Sequence, residues 1–186
     1  ILVVHLEALG AVLRATSILE PLHKKYKHAK VTWVTQAPAH YLLKNNPMID
    51  RVLTTNRDDL LELSAQRFDY AFCIDKSLKA IGVLAQTRYD KLYGFDLDHV
   101  SNNIVPATSA SEELWELGLS DHKKFFVNKK SEVQLMIEAL ELGKYESNEY
   151  SYHFLKEEKE RVFQRRKTWA KNGDVLIGVN TGCSPT

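Results

Sequence analysis

The residues able to do chemistry fall into three short groups. Glu7-Ala8-Leu9-Gly10-Ala11 follows the apolar run Ile1–Leu6, Asp75-Lys76-Ser77-Leu78-Lys79 follows Phe72-Cys73-Ile74, and Thr181-Gly182-Cys183-Ser184 follows Val175–Asn180. Glu7 and Asp75 are carboxylates that can take a proton from a hydroxyl or orient one. Gly10 lets a ligand approach the start of a helix, where unpaired N–H groups favour anions; it also suits a plain tight turn. Lys76 and Lys79 can bind a phosphate or carboxylate. Equally, they are solvated lysines on a helix capped by Asp75. Thr181–Ser184 offers backbone and hydroxyl donors to a diphosphate, and is otherwise an ordinary turn. Cys183 has no histidine near it in sequence, which argues against a thiolate nucleophile.

Other chemistries find no support. The seven histidines (His5, His23, His28, His40, His99, His122, His153) form no HxH or HExxH spacing, so neither a metal site nor a cofactor is expected. A net charge of +1 and scattered aromatic residues do not fit a nucleic-acid binder. Lys24–His28 reads as a solvated helix C-terminus, where cations suit the dipole. The two cysteines, Cys73 and Cys183, form no CxxC and point to a reducing, cytoplasmic compartment. No apolar run approaches the roughly 18–20 residues that span a bilayer, and the first one soon meets Glu7, unlike a signal peptide. The chain opens inside a strand-like run and stops in a loop, as expected of a piece of a longer protein.

The elements that must position these residues are legible as alternating short apolar runs and helical patterns. Strands are predicted at Ile1–Leu6, Val31–Thr35, Arg51–Thr54, Tyr70–Ile74 and Leu92–Phe95. Helices are predicted at Ala8–Tyr26 (kinked at Pro21), Ala37–Lys44, Asp58–Gln66 and Ser77–Gln86. Such alternation implies an α/β domain: a parallel sheet with helices on both faces and right-handed crossovers. Its ligands belong beyond the carboxyl ends of the strands, where the groups above lie. Asp96–Ser111 reads as an irregular loop over that edge. Helix Ser131–Leu142 starts with a Ser131/Gln134 capping box and ends at Gly143. Lys144–Glu149 is a linker, followed by a strand Tyr150–Phe154, a basic helix Glu157–Lys171 and a strand Val175–Asn180. These place one domain at 1–148 and the start of a second at 149–186.

The ordered set Ile1-Leu2-Val3-Val4…Leu9-Gly10-Ala11-Val12-Leu13-Arg14-Ala15-Thr16, Lys24-Lys25-Tyr26…Val31-Thr32-Trp33-Val34, Leu42-Leu43-Lys44-Asn45-Asn46-Pro47-Met48-Ile49-Asp50-Arg51-Val52, Phe68-Asp69-Tyr70…Ile74-Asp75-Lys76…Leu78-Lys79, Tyr93-Gly94-Phe95 and Ile177–Ser184 resembles the ADP-heptose:lipopolysaccharide heptosyltransferases, glycosyltransferase family 9. The resemblance implies a GT-B architecture, two Rossmann-like domains facing across a cleft. The N-terminal domain would take a lipopolysaccharide-core acceptor. The C-terminal domain, beginning near Thr181–Ser184, would take an ADP-heptose-like nucleotide-sugar. Transfer would be inverting and metal-free. A glycolipid acceptor would also bring peripheral contact with the inner face of the cytoplasmic membrane.

One departure from the family pattern matters. The family usually has its catalytic aspartate right after the glycine of the first turn, and this chain has Ala11 there. Glu7 and Asp75 are the nearest substitutes, while a non-catalytic binding protein that keeps the cleft is the rival reading. Another nucleotide-dependent α/β enzyme is a third. Residues 1–186 alone are expected not to catalyse transfer.

Overall fold

The computed structural model describes residues 1–170 and 174–179. It divides into two units, one spanning Ile1–His153 and one starting at Phe154.

The first unit is built on a sheet of six strands. These are β1 (Leu2–Val4), β2 (Thr32–Thr35), β3 (Arg51–Thr54), β4 (Arg67–Cys73), β5 (Arg88–Asp98) and β6 (Asn103–Pro106). Their order is β3-β2-β1-β4-β5-β6. The first five run parallel and β6 is antiparallel to β5. Helices α1 (Leu9–Ala15), α2 (Leu19–Lys25), α3 (His40–Leu43), α4 (Arg57–Ser64), α5 (Leu78–Ala85), α6 (Glu112–Leu119) and α7 (Glu132–Ala139) connect or cover the strands.

Alternation along β1 shows why the sheet needs covering twice. Val3 joins a core with Val12, Leu19 and Leu22 from the first helices and Val133, Met136 and Ile137 from α7. Leu2 and Val4 join another with Leu63 of α4 and Ala80, Ile81 and Leu84 of α5. All three β1 side chains are fully buried, as expected of a parallel sheet sheltered on both faces.

Pro21 acts upstream of its own position. A proline clashes with the carbonyl four residues before it and lacks the donor for it. Here that carbonyl belongs to Ser17, and the chain runs as a 3₁₀ turn over Thr16–Ile18. The single kinked helix predicted over Ala8–Tyr26 is therefore two, α1 and α2.

Three further expectations are corrected. The segment Asp96–Ser111, predicted as an irregular loop, completes β5 and adds β6, with main-chain pairing from Phe95↔Pro106 to Asp98↔Asn103. Its polar alternation masks the strand because β6 lies at the sheet edge, half-exposed. Tyr150–Phe154 forms no strand. Ser151 is instead held by side chains: its N–H donates to Thr16 Oγ1 at 2.8 Å, and its Oγ accepts from Asn46 Nδ2 at 2.9 Å. Residues 175–179 of the predicted strand Val175–Asn180 carry no regular structure, Val175, Ile177 and Val179 are exposed, and Asn180 lies outside the described residues.

From Phe154 onward the chain forms helix α8 (Lys156–Trp169), close to the basic helix predicted. The buried-residue pattern of a core is absent from it, and among the described residues no helix is long and apolar enough to cross a membrane.

Candidate functional site

Strand order fixes where a ligand belongs. From β1 the chain winds outward to β2 and β3, then returns to the other side of β1 with β4. In open sheets of this kind the turns on either side of such a reversal diverge, and ligands bind at the carboxyl ends of the strands there. The two turns are Leu6–Ala8 and Ile74–Ser77, so Glu7 and Asp75 come together as their sequence positions suggested.

Their environments differ sharply. Asp75 is turned into the fold, its side chain only 12% exposed. Its Oδ2 accepts from the Leu6 N–H at 3.0 Å, tying the end of β4 to the end of β1. His5 Nδ1 lies 3.8 Å from the same oxygen, beyond hydrogen-bond reach but within electrostatic range. Burial pushes the Asp75 carboxyl up, but the interactions with His5, the Leu6 N–H and Ser77 outweigh it and hold the group below the usual carboxylate range. A group so placed is a weak proton acceptor.

Asp75 also does not cap the following helix. Ser77, in extended backbone immediately before α5, accepts from the Ala80 N–H. Asp75 is two residues too early and points inward.

Glu7 points the other way. Its side chain is 55% exposed and its Oε1 accepts from Lys79 Nζ at 3.0 Å. Lys79 reaches it from the first turn of α5. The ion pair is solvent-screened and adds little stability, but it orients the carboxylate at the carboxyl edge of the sheet. Lys79, expected to bind substrate, is thus engaged with Glu7.

Lys76 departs into a different environment. The residue as a whole is exposed, but its ammonium end is hemmed in. Nζ donates to the Leu114 carbonyl at 2.5 Å and sits 4.8 Å from the centre of the Phe95 ring. That enclosure, with the nearby charge of Lys124, pushes its pKa down to about 8. It lines a cavity of about 640 Å³ with Trp115, Ile104, Val105 and Leu119. Trp115 is fixed there by its indole N–H, which donates to the Ile104 carbonyl at 2.8 Å. This cavity escaped the sequence reading because β6 and α6, which build it, were not predicted; the Trp115 and Leu119 spacing was the available signal.

Gly10 is the second residue of α1 and is exposed. A Cβ there would meet only Arg14 Nη1, at 3.6 Å, so the glycine is not forced by packing. Ala11 follows on the same helix. Arg14, one turn on, is clamped by Glu132 of α7 at 2.8 Å. Thr181, Gly182, Cys183 and Ser184 lie outside the described residues. Among the described residues, no three histidine, cysteine, aspartate or glutamate side chains gather as a metal site. Cys73 is buried, and that burial pushes its thiol well above the usual range.

No protein-family model matches the chain, and no curated protein does. Solved structures do. A glycosyl transferase family 9 protein from Veillonella parvula DSM 2008 is similar over 99% of this chain and 54% of its own, with a TM-score of 0.72 and 17% identity. The E. coli heptosyltransferase WaaC, solved with ADP-2-deoxy-2-fluoro heptose and with ADP, is similar over 78% of this chain, with a TM-score of 0.52 and 15% identity. The chain spans about half the length of these structures. Its sheet and helices have the fold of the N-terminal, Rossmann-like domain of a GT-B glycosyltransferase.

Proposed function

We propose that the chain is the acceptor-binding part of an inverting glycosyltransferase that moves a heptose or related sugar from an ADP-sugar-like donor to a lipopolysaccharide-core-type acceptor. The observation that carries this reading is an exposed, oriented carboxylate at the sheet's reversal point, in a fold shared with glycosyltransferases. Glu7 is the base. It takes the proton of the acceptor hydroxyl as the oxygen attacks the anomeric carbon and the nucleoside diphosphate leaves with its bonding electron pair. Asp75 is a positioning residue that fixes the turn carrying Glu7. Lys76 offers a cation to an acidic group of the acceptor, and Gly10 leaves the start of α1 open to it. Thr181–Ser184 supply donors to the leaving diphosphate. The reaction needs no metal and no cofactor, and residues 149–186 begin the donor domain. Work on a cytoplasmic acceptor lipid would bring the protein to the inner face of the membrane.

One observation favours a second reading. Ala11 cannot accept a proton, and a non-catalytic protein that keeps the cleft would have the same fold. Transfer from ADP-heptose to a Kdo–lipid A acceptor by the full-length protein separates them. The catalytic reading expects turnover that falls about 10²–10⁴-fold in Glu7→Gln. Absence of turnover in the wild type, with gain in Ala11→Asp, would establish the binding protein.

A further inference from the structure

The amine of Lys76 is enclosed in a way that a solvated lysine is not. Its Nζ donates to the Leu114 carbonyl and lies against the Phe95 ring. It passes over Gly118 of α6, where a Cβ would come within 3.1 Å of it. The cavity of about 640 Å³ that it lines is walled by Ile104, Val105, Trp115 and Leu119. The indole N–H of Trp115 is already donated to the Ile104 carbonyl, so that wall offers an occupant only its apolar ring.

This enclosure changes what the amine can do. The carbonyl and the ring favour the cation. Burial, with the charge of Lys124 in the π-helical turn Lys123–Val127, outweighs them and holds the pKa at about 8. Glu132, the carboxylate that acts in the opposite direction, is clamped to Arg14. At pH 7 about one Lys76 amine in ten is then neutral, against roughly one in 2,500 for an ordinary lysine. A neutral amine keeps one N–H on the Leu114 carbonyl and has its lone pair left for an electrophile. A desolvated lysine beside a second cation is a recurrent form of activated nucleophile.

We propose that Lys76 is an acylation site whose reagent is an acyl phosphate, with the acyl group lodged against Trp115, Ile104, Val105 and Leu119. The charge of Lys124 attracts the phosphate. The neutral Nζ attacks the acyl carbon, the bond from that carbon to the phosphate oxygen breaks, and phosphate leaves with the bonding pair. The surplus proton on nitrogen passes to water. The product is an amide whose remaining N–H still serves the Leu114 carbonyl, and the positive charge of Lys76 is gone. Acylation thereby weakens the hold on an acidic acceptor. That consequence rests on the function proposed above; the modification itself does not.

The test incubates the full-length protein with acetyl phosphate at pH 7 and follows each lysine by peptide mass spectrometry. Lys27 and Lys159 are exposed and serve as internal references. Lys76 should acetylate about tenfold faster than either, because its larger neutral fraction is partly offset by the lower nucleophilicity of a less basic group. Leu119→Asp puts a carboxylate in the cavity wall, which holds the amine in its charged form and repels the phosphate. It should slow Lys76 at least about fivefold and leave Lys27 and Lys159 unchanged. Leu119 is exposed, and unchanged melting of the variant confirms that the fold is intact. Lys76 reacting no faster than the references, or equally fast in Leu119→Asp, would overturn the proposal. A protein that transfers no sugar still acetylates at Lys76, so this result is separate from the outcome of the transfer assay.

Discussion

Glu7 and Asp75 are carboxylates on neighbouring turns, and their surroundings assign them opposite duties. Asp75 spends an oxygen on the Leu6 N–H, while Glu7 faces solvent beside Lys79. Asp75→Ala leaves a partly buried N–H without its partner and should cost roughly 1–3 kcal/mol. For a domain of this size that is a fall in Tm of about 2–4 °C per kcal/mol, readable by calorimetry. The sign of the pH effect follows from the depressed pKa. Stability from Asp75 is fully present above the unfolded value of about 3.9 and is lost as pH falls through the lower folded value. Asp75→Asn should flatten the wild-type loss of stability below about pH 4. Lys76 carries a separate pH signature. With its pKa pushed down to about 8, it loses its charge as pH rises through that value. Binding of an acidic acceptor should therefore weaken above about pH 8 in the wild type, and Lys76→Arg should remove that dependence. Titration of ¹³C-methylated Lys76 by NMR checks the pKa directly.

At the scale of elements, β1 was legible because its side chains are apolar throughout and buried on both faces, while β2 to β5 were read from short apolar stretches inside strands that also carry Thr, Arg, Asp or Lys. The capping serines were half legible. Ser131 accepts from the Gln134 N–H as predicted, but the Gln134 side chain donates to Glu138 rather than closing the box. What the sequence hid was β6, α6 and the π turn, whose half-exposed or exposed residues show no clean period. They are defined by tertiary pairing, β6 with β5, rather than by local pattern. The cavity they build was hidden with them. Gly94 shows how tightly β5 is fitted to β4. Its φ is +93°, and a Cβ there would lie 1.9 Å from the Cys73 carbonyl oxygen. Gly94→Ala should cost roughly 3 kcal/mol or more, combining backbone strain with an overlap that only the sheet itself can relieve. Ser131→Ala, which removes only a cap, should cost about 1 kcal/mol. Urea unfolding of the two variants side by side tests that ranking.

At the scale of the molecule, a parallel sheet covered by helices was readable from alternation alone, but the strand order that sets β4 beside β1 was not. Nor were the duties of the two carboxylates, because sequence places both at strand ends without saying which one turns inward. If the first unit carries the base and the acceptor contacts, the nucleotide-sugar must be held by a second domain. Residues 1–186 alone should therefore show no turnover with ADP-heptose, even at high enzyme concentration, while the full-length protein does.

The most direct measurement is the rate of transfer from ADP-heptose to Kdo–lipid A by full-length wild type, Glu7→Gln and Asp75→Asn. With Glu7 as the base, Glu7→Gln should lose about 10²–10⁴-fold in kcat, while Asp75→Asn loses far less and loses stability at the same time. Equal activity of Glu7→Gln and wild type, or a collapse confined to Asp75→Asn, would contradict the assignment of Glu7 as the base.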